Sequence, residues 1–466
     1  MIAQTAPSGF IVLTGIGQHA TRKVVRVAGL SLLPHTESAT MKSFQALLTL
    51  VCAFALVLRL DCAHAQKPDG AGVTATEIKI GQTMPYSGPV SAIGTLGRGT
   101  AAYFDKVNAE GGVNGRKLRL ISLDDGYNPA KTVEQTRRLV EEDQVLALFF
   151  APGAPGNAAV QKYLNNKGVP QLFVANSASR WGDPKNFPWT MPLMPNYRFE
   201  GRAYGNYLLA NYPAARVAVL YQNDDSGRDY LTGLREGLGD RAKRMIVSEA
   251  SHEVTDGMID SQVVSLSSSN ADVFAIFTTA KFAVLAIRKA WDIGWRPQRV
   301  AARIAITTRS VFTALGREKT VGLVSATYEK DPNDPRWHDD PEYREWLAWM
   351  KHYFPEGDTE DPLNVTPYVA AQALVQVLRQ CGDELTRQNV MRQAASLRNV
   401  RLSMLLPGVM LNTSPSDYYP IKQLRLQRFD GRTWIPLGDV SDDSQGQTSA
   451  KLTGRQAQRA STEKPR

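Results

Sequence analysis

Cysteine is nearly absent, with three in 466 residues, at Cys52, Cys62 and Cys381. Cys52 and Cys62 fall in an apolar leader-like segment, which leaves Cys381 and excludes both a disulfide framework and a thiolate metal cluster. Histidine is also scarce. Only His252, His338 and His352 follow residue 65. None stands in an H-E-x-x-H, G-x-S-x-G or Cys–His context, so no reaction can be assembled from them and an enzyme is not expected. No apolar run after the leader reaches membrane-spanning length. No long basic block occurs either. The chain carries 54 Lys and Arg against 45 Asp and Glu, with both signs interspersed. That mild basicity argues against nucleic acid and suits solubility or capture of an acidic solute.

What is present starts at residue 41. Residues 41–66 read MKSFQALLTLVCAFALVLRLDCAHAQ. Lys42 precedes an uncharged run, Phe44 to Leu58, of roughly 15 residues, short of the about 20 that span a membrane. Ala63-His64-Ala65 is a small-x-small cleavage pattern. Residues 41–65 therefore read as a signal peptide starting at Met41 and cleaved near Ala65. Residues 1–40 read as a misassigned upstream extension. The remainder is long enough for two domains.

From Glu77 the chain alternates strand-like and helix-like segments. EIKIGQTM, KLRLISLDD, VLALFF and PQLFVA read as strands. NPAKTVEQTRRLVEED reads as a helix with Asn128 as N-cap and Pro129 at its first position. The pattern restarts at RFEGRAYGNYLLANY and runs through strands RVAVLYQ, MIVSEA and DVFAIF. Repeated strand–helix–strand units predict parallel sheets covered by helices on both faces, here two doubly wound α/β lobes. A later helical stretch, 341–354 and 368–382, is assigned to the first lobe. Residues 441–466 are polar and read as a disordered tail.

Ligands of open α/β sheets sit outside the carboxyl ends of the strands, so the loops there are the candidates. The first carries Tyr86, followed by GTLGRG, read as part of the loop. Its glycines are misspaced for a dinucleotide fingerprint. APGAPGN, 151–157, precedes a helix. Gly153 and Ala154 leave its amides uncovered and Asn157 is placed to cap it, which makes an anion site. ANSASRW offers Asn176 and Ser177 as polar groups and Trp181 as a flat wall. QNDDSGRDY places Asp224 and Asp225 before a helix, to cap it or to meet a ligand. TTAKFA places Thr279 and Lys281 beside Phe282. A plain turn, a core Trp and a solvated Lys are the competing structural readings of these features.

Three stretches carry a family resemblance: IKIGQTMPYSGPV, NAEGGVNGRKLRLISLDDGYNPAKTVEQTRRLVEEDQV and KYLNNKGVPQLF. Over about 76–436 the chain resembles the leucine/isoleucine/valine-type periplasmic solute-binding proteins of ABC transporters. The resemblance implies a type I periplasmic binding protein: two Rossmann-like lobes, 66–193 plus 327–420 and 194–326 plus 421–440. A three-strand hinge would cross near 191–196, 324–330 and 418–424. It implies a periplasmic, monomeric receptor with no cofactor, delivering its ligand to permease subunits in the inner membrane. It also implies a ligand carboxylate on the loops GAPGN and ANSAS, where Ser177 matches a Thr/Ser position and Ala154 replaces a Ser. The family's second-lobe Tyr is replaced by Ser226.

Amino-acid binders of this family place an acid for the ligand ammonium just after the strand near 299–306. Here the run is RVAARIAITTRS, without an acid. The expected solute is therefore an aromatic or other organic acid. Its body would lie against Tyr86, Trp181 or Phe282, with Lys281 or Arg309 as partners. A branched-chain amino acid binder and a ligand-sensing receptor for a separate signalling partner are the alternatives.

Overall fold

The first sheet of the computed structural model is built from β1 (Glu77–Met84), β2 (Lys117–Asp124), β3 (Ala147–Phe149), β4 (Gln171–Val174) and β5 (Thr190–Pro192). All pairings are parallel, in the order β2-β1-β3-β4-β5. Residues 70–306 and 309–443 are described. The segments read from sequence as signal peptide and upstream extension lie outside them, as do residues from 444 onward. The helices between the strands are α1 (Thr95–Ala109), α2 (Pro129–Arg137) and α3 (Ala154–Lys167). α2 starts as its sequence predicts: the Asn128 side chain accepts from Ala130 N at 2.9 Å, with Pro129 behind it. Because β2 and β3 lie on opposite sides of β1, the loops after β1 and β3 diverge and leave a crevice between them.

The second sheet contains β6 (Val217–Gln222), β7 (Ile246–His252), β8 (Val273–Phe277), β9 (Gln298–Ala301), β10 (Val324–Thr327), β11 (Gln423–Phe429) and β12 (Trp434–Pro436), in the order β12-β11-β10-β9-β8-β6-β7. A short β13 (Ser441–Asp442) pairs with β11. The reading of disorder from residue 441 is corrected there: β13 continues the sheet and Asp443 forms an ion pair with Arg202. Connecting helices are α4 (Tyr197–Asn211), α5 (Asp225–Leu238), α6 (Asp260–Ser267), α7 (Ala280–Asp292), α8 (Arg303–Ile306), α9 (Arg309–Leu315) and α10 (Arg317–Thr320). The chain then returns to the first lobe through α11 (Pro341–Tyr353), α12 (Val365–Gln380) and α13 (Arg387–Ala394). It thus passes between the lobes after β5, after β10 and before β11.

β3, β4 and β8 are buried on both faces, as central parallel strands require. Each sheet carries its own apolar core.

GTLGRG does not form a loop. Residues 91–94 make a 3₁₀ turn and α1 begins at Thr95. Its glycines answer to packing: a Cβ on Gly97 would lie 2.2 Å from the Tyr86 hydroxyl. Glycine there lets the Tyr86 ring lie directly on the helix.

Candidate functional site

The crevice of the first lobe is bounded by Tyr86 and by the start of α3. The Tyr86 hydroxyl is 2.7 Å from Ser122 Oγ, which donates to Gln82 Oε1 at 3.0 Å. Burial raises its pKa, so the group stays a neutral phenol. At α3 the N-cap is Gly153, with φ 86° and no side-chain cap. Asn157 does not cap the helix, contrary to its sequence reading. Lying within α3, it donates back to the carbonyls of Ala151 at 2.9 Å and Gly153 at 2.6 Å. Ala154 is buried in the core shared with the second lobe.

Tyr127 covers this helix start, and sequence reasoning did not single it out. Its ring lies where a Cβ on Gly153 would come, at 2.4 Å. Its backbone is left-handed, φ 60°. Burial raises the Tyr127 hydroxyl pKa, and Asp224 of the second lobe raises it further. The signal was Tyr127 within DDGYNP, a position after Gly126 where a bulky side chain in a left-handed turn has no local reason to be.

At the end of β4 the lobes touch directly. Asn176 Nδ2 donates to Ser226 Oγ at 3.0 Å, and Asn176 Oδ1 accepts from Trp181 Nε1 at 2.8 Å. Ser177 Oγ is already engaged with the Met194 carbonyl at 2.7 Å. Trp181 is fully buried and packs in the second lobe's core, so it seals the interface and offers no open wall. Arg180 donates to Asp225 at 2.7 Å across the same seam. Burial alone would raise the Asp225 carboxyl, but Arg180, and then Arg228, hold it below the ordinary range. Asp225 is thus a clasp between lobes. Its neighbour Asp224 caps α5, accepting from Gly227 N at 3.0 Å.

In the second lobe Thr279 is the N-cap of α7, and its hydroxyl is buried without a partner. Phe282 is a core residue, its ring 4.1 Å from that of His252. Lys281 is exposed, reaching the Asp256 carbonyl at 3.3 Å and lying over the Phe282 ring. The expectation that Phe282 and Trp181 face a solute fails for one reason. Both are large apolar groups next to helix starts, and the cores claimed them.

The hinge side holds a second set of groups. Arg303 follows β9, within the run where the sequence reading expects an acid and finds none. It is buried and forms an ion pair with Glu329, just past β10. Thr366 of α12 donates to the same Glu329 oxygen at 3.0 Å. Arg303 N donates to Glu200 Oε1 at 2.7 Å, and Tyr230 donates to Glu200 Oε2 at 3.0 Å. Burial raises the pKa of Glu200 and of Glu329, and in each the Arg303 charge opposes that rise. Arg303 and Glu329 both line a cavity of about 370 Å³. Of the residues singled out from sequence, Arg309 also lines it, held by Asp358 at 3.0 Å and Glu360 at 2.6 Å. Among the described residues no group of three or more His, Cys, Asp or Glu is placed to hold a metal. No described helix is long and apolar enough to cross a membrane.

A family model described as periplasmic binding protein matches residues 77–433. A Leu/Ile/Val-binding protein homolog 7 of Brucella abortus is 24% identical over 332 residues, covering 66% of this chain and 78% of that one. An amino acid binding protein of Pseudomonas aeruginosa is 23% identical over 264 residues, covering 55% and 68%. Among solved structures, a branched chain amino acid ABC transporter protein from Thermus thermophilus with bound valine aligns at a TM-score of 0.69, with 16% identity, over 82% of this chain and 99% of that one. A fatty acid ABC transporter substrate-binding protein from Thermomonospora curvata aligns at 0.68, with 19% identity, over 81% and 95%. These structures share the fold, two Rossmann-like lobes of the type I class, and this chain belongs to the periplasmic binding protein family.

Proposed function

We propose that this protein is the substrate-binding component of an ABC importer, exported to the periplasm, and that it captures a small carboxylate-bearing organic acid between its lobes. The observation that carries the choice of solute is Arg303. A guanidinium stands where an amino-acid binder would place a carboxylate, and an α-ammonium brought beside it would meet a like charge in a water-poor site. An acid group there is drawn by the same guanidinium, which it would share with Glu329.

The mechanism is closure. Tyr127, Asn176 and the start of α3 belong to one lobe, and Ser226 and Thr279 to the other. A solute that touches both sets is bound more tightly by the closed form and shifts the population towards it. The unpartnered Thr279 hydroxyl supplies a donor from the second lobe. The protein acts by binding alone and hands its solute to membrane permease subunits.

Binding of a branched-chain amino acid is the second reading, favoured by the names of the Brucella relatives and by the valine in the Thermus neighbour. A thermal-shift screen with benzoate, phenylacetate, hexanoate, leucine and valine separates the two. At about 100 times Kd a ligand adds roughly 2.7 kcal/mol to the stability of the folded state. A raised midpoint with the acids and none with leucine or valine is expected. The reverse pattern restores the amino-acid reading.

A further inference from the structure

The cavity at the hinge flank has a composition that the cleft reading does not use. Its apolar wall is an aromatic triad. Phe312 of α9 lies 4.8 Å from the Phe429 ring of β11 and 5.9 Å from Trp434 of β12, and Phe429 and Trp434 are 5.3 Å apart. Five of its lining side chains are cationic and two are acidic. Three of the cations are already satisfied: Arg303 by Glu329, Arg309 by Asp358 and Glu360, and Lys330 by Asp340 and Glu342. The other two, Arg317 and Arg432, hold no carboxylate at ion-pair distance among the described residues. Asp430, beside them, spends an oxygen on the backbone amides of Arg432 and Thr433. Arg317 lies across the Gly431 turn of the β11–β12 hairpin, which brings the two guanidinium groups to one rim.

We infer that this cavity is a second binding site, for a small aromatic anion whose ring lies on Phe312, Phe429 and Trp434 and whose acid group sits between Arg317 and Arg432. Two arginines at one rim favour a planar anionic group, and the aromatic faces favour a flat apolar body. The volume is at the small end of the range for organic-ligand sites, roughly 300–1,000 Å³. The site shares Arg303 with the proposed solute site, but none of Tyr127, Asn176, Ser226 or Thr279 lines it. Its walls include β10 and β11, two of the segments near which the chain passes between lobes, so its occupant touches the hinge.

The inference does not depend on the identity of the transported solute. The test uses the purified protein and two fluorescent probes that differ by one charged group. These are 1-anilinonaphthalene-8-sulfonate and its uncharged parent, N-phenyl-1-naphthylamine. The expected result is saturable binding of one sulfonate at least tenfold tighter than its parent. In R317E/R432E the sulfonate should bind at least tenfold more weakly and lose its advantage over the parent. K185E, at an exposed lysine that does not line the cavity, should bind as the native protein does. An unchanged melting midpoint in R317E/R432E verifies its fold, since both side chains are exposed. Equal affinity for the two probes, or sulfonate affinity in R317E/R432E within threefold of the native value, overturns the assignment. Failure of the acids in the cleft screen, with sulfonate binding intact here, would refute only the cleft reading.

Discussion

Arg303 and Glu329 form a buried ion pair where the chain leaves the second lobe for the first, and Thr366 of the first lobe donates to the same carboxylate oxygen. The pair therefore ties β9 of one lobe to α12 of the other through the hinge residue. Removing one partner of such a pair leaves the other charged and dry. Arg303→Ala is expected to lower the unfolding free energy by about 3–5 kcal/mol. The double variant R303M/E329M should cost clearly less than R303A, because Glu329 is no longer left buried without its partner. Urea unfolding of the three proteins checks this, and equal losses for the single and double variants would refute it.

The Asn176–Ser226 hydrogen bond joins the lobes at the other end of the interface. Asn176→Ala removes it and also strips the buried Trp181 indole of its acceptor. A loss of about 1–3 kcal/mol is expected from the orphaned donor. The ligand-free protein should also show a larger radius of gyration by small-angle scattering, as its clasp is weakened. A native radius and native stability together would remove Asn176 from this role.

Gly153 is expected to tolerate no side chain. A Cβ there would lie 2.4 Å from the Tyr127 ring, and φ is 86°. Gly153→Ala should cost about 2 kcal/mol or more, the sum of a clash and a left-handed backbone. In a Y127A background G153A should cost less than it does in the native protein, since the clash goes and the backbone term stays. Thermal denaturation distinguishes the two contributions.

His252 gives the fold a dependence on mild acid. Its Nδ1 lies 3.0 Å from the Glu253 carbonyl and so donates, which leaves Nε2 to accept the Thr278 hydroxyl at 2.6 Å. Burial lowers its pKa, against the opposing pull of the Glu253 carbonyl and of Asp256, Asp224 and Glu253. With a folded pKa below the unfolded one, near 6.5, the unfolded chain binds the proton first. The contribution of His252 is whole above about pH 6.5 and falls as pH drops through the folded value. Glu200 and Glu329, raised by burial, act in the opposite sense: their contribution is whole below the unfolded carboxyl pKa, about 4.3, and is lost as pH rises through the folded value. The melting midpoint of His252→Gln should therefore vary less with pH between 5 and 7 than that of the native protein. An identical pH profile for the two would count against His252.

Much of this architecture was legible locally. The β1 and β2 runs, the Asn128–Pro129 helix start and the restart after β5 each rest on a few adjacent residues, because periodicity, capping and turn chemistry act over one or two turns of chain. The crevice loops followed from that topology. What tertiary structure decided was which side chain met which partner. Trp181 and Phe282 looked available at strand ends, yet apolar burial drew both into the second lobe's core. The glycines of GTLGRG read as a loop, yet two of them pack a helix, Gly97 against Tyr86 and Gly99 against Pro367. Arg303 and Glu329, and Tyr127 and Gly153, are each separated by 26 residues in the sequence. Neither pair carries a local signature. Each exists because two strand ends of a sheet converge, and the cost of leaving a charge unpaired or a ring unpacked selects the partner that the fold places there.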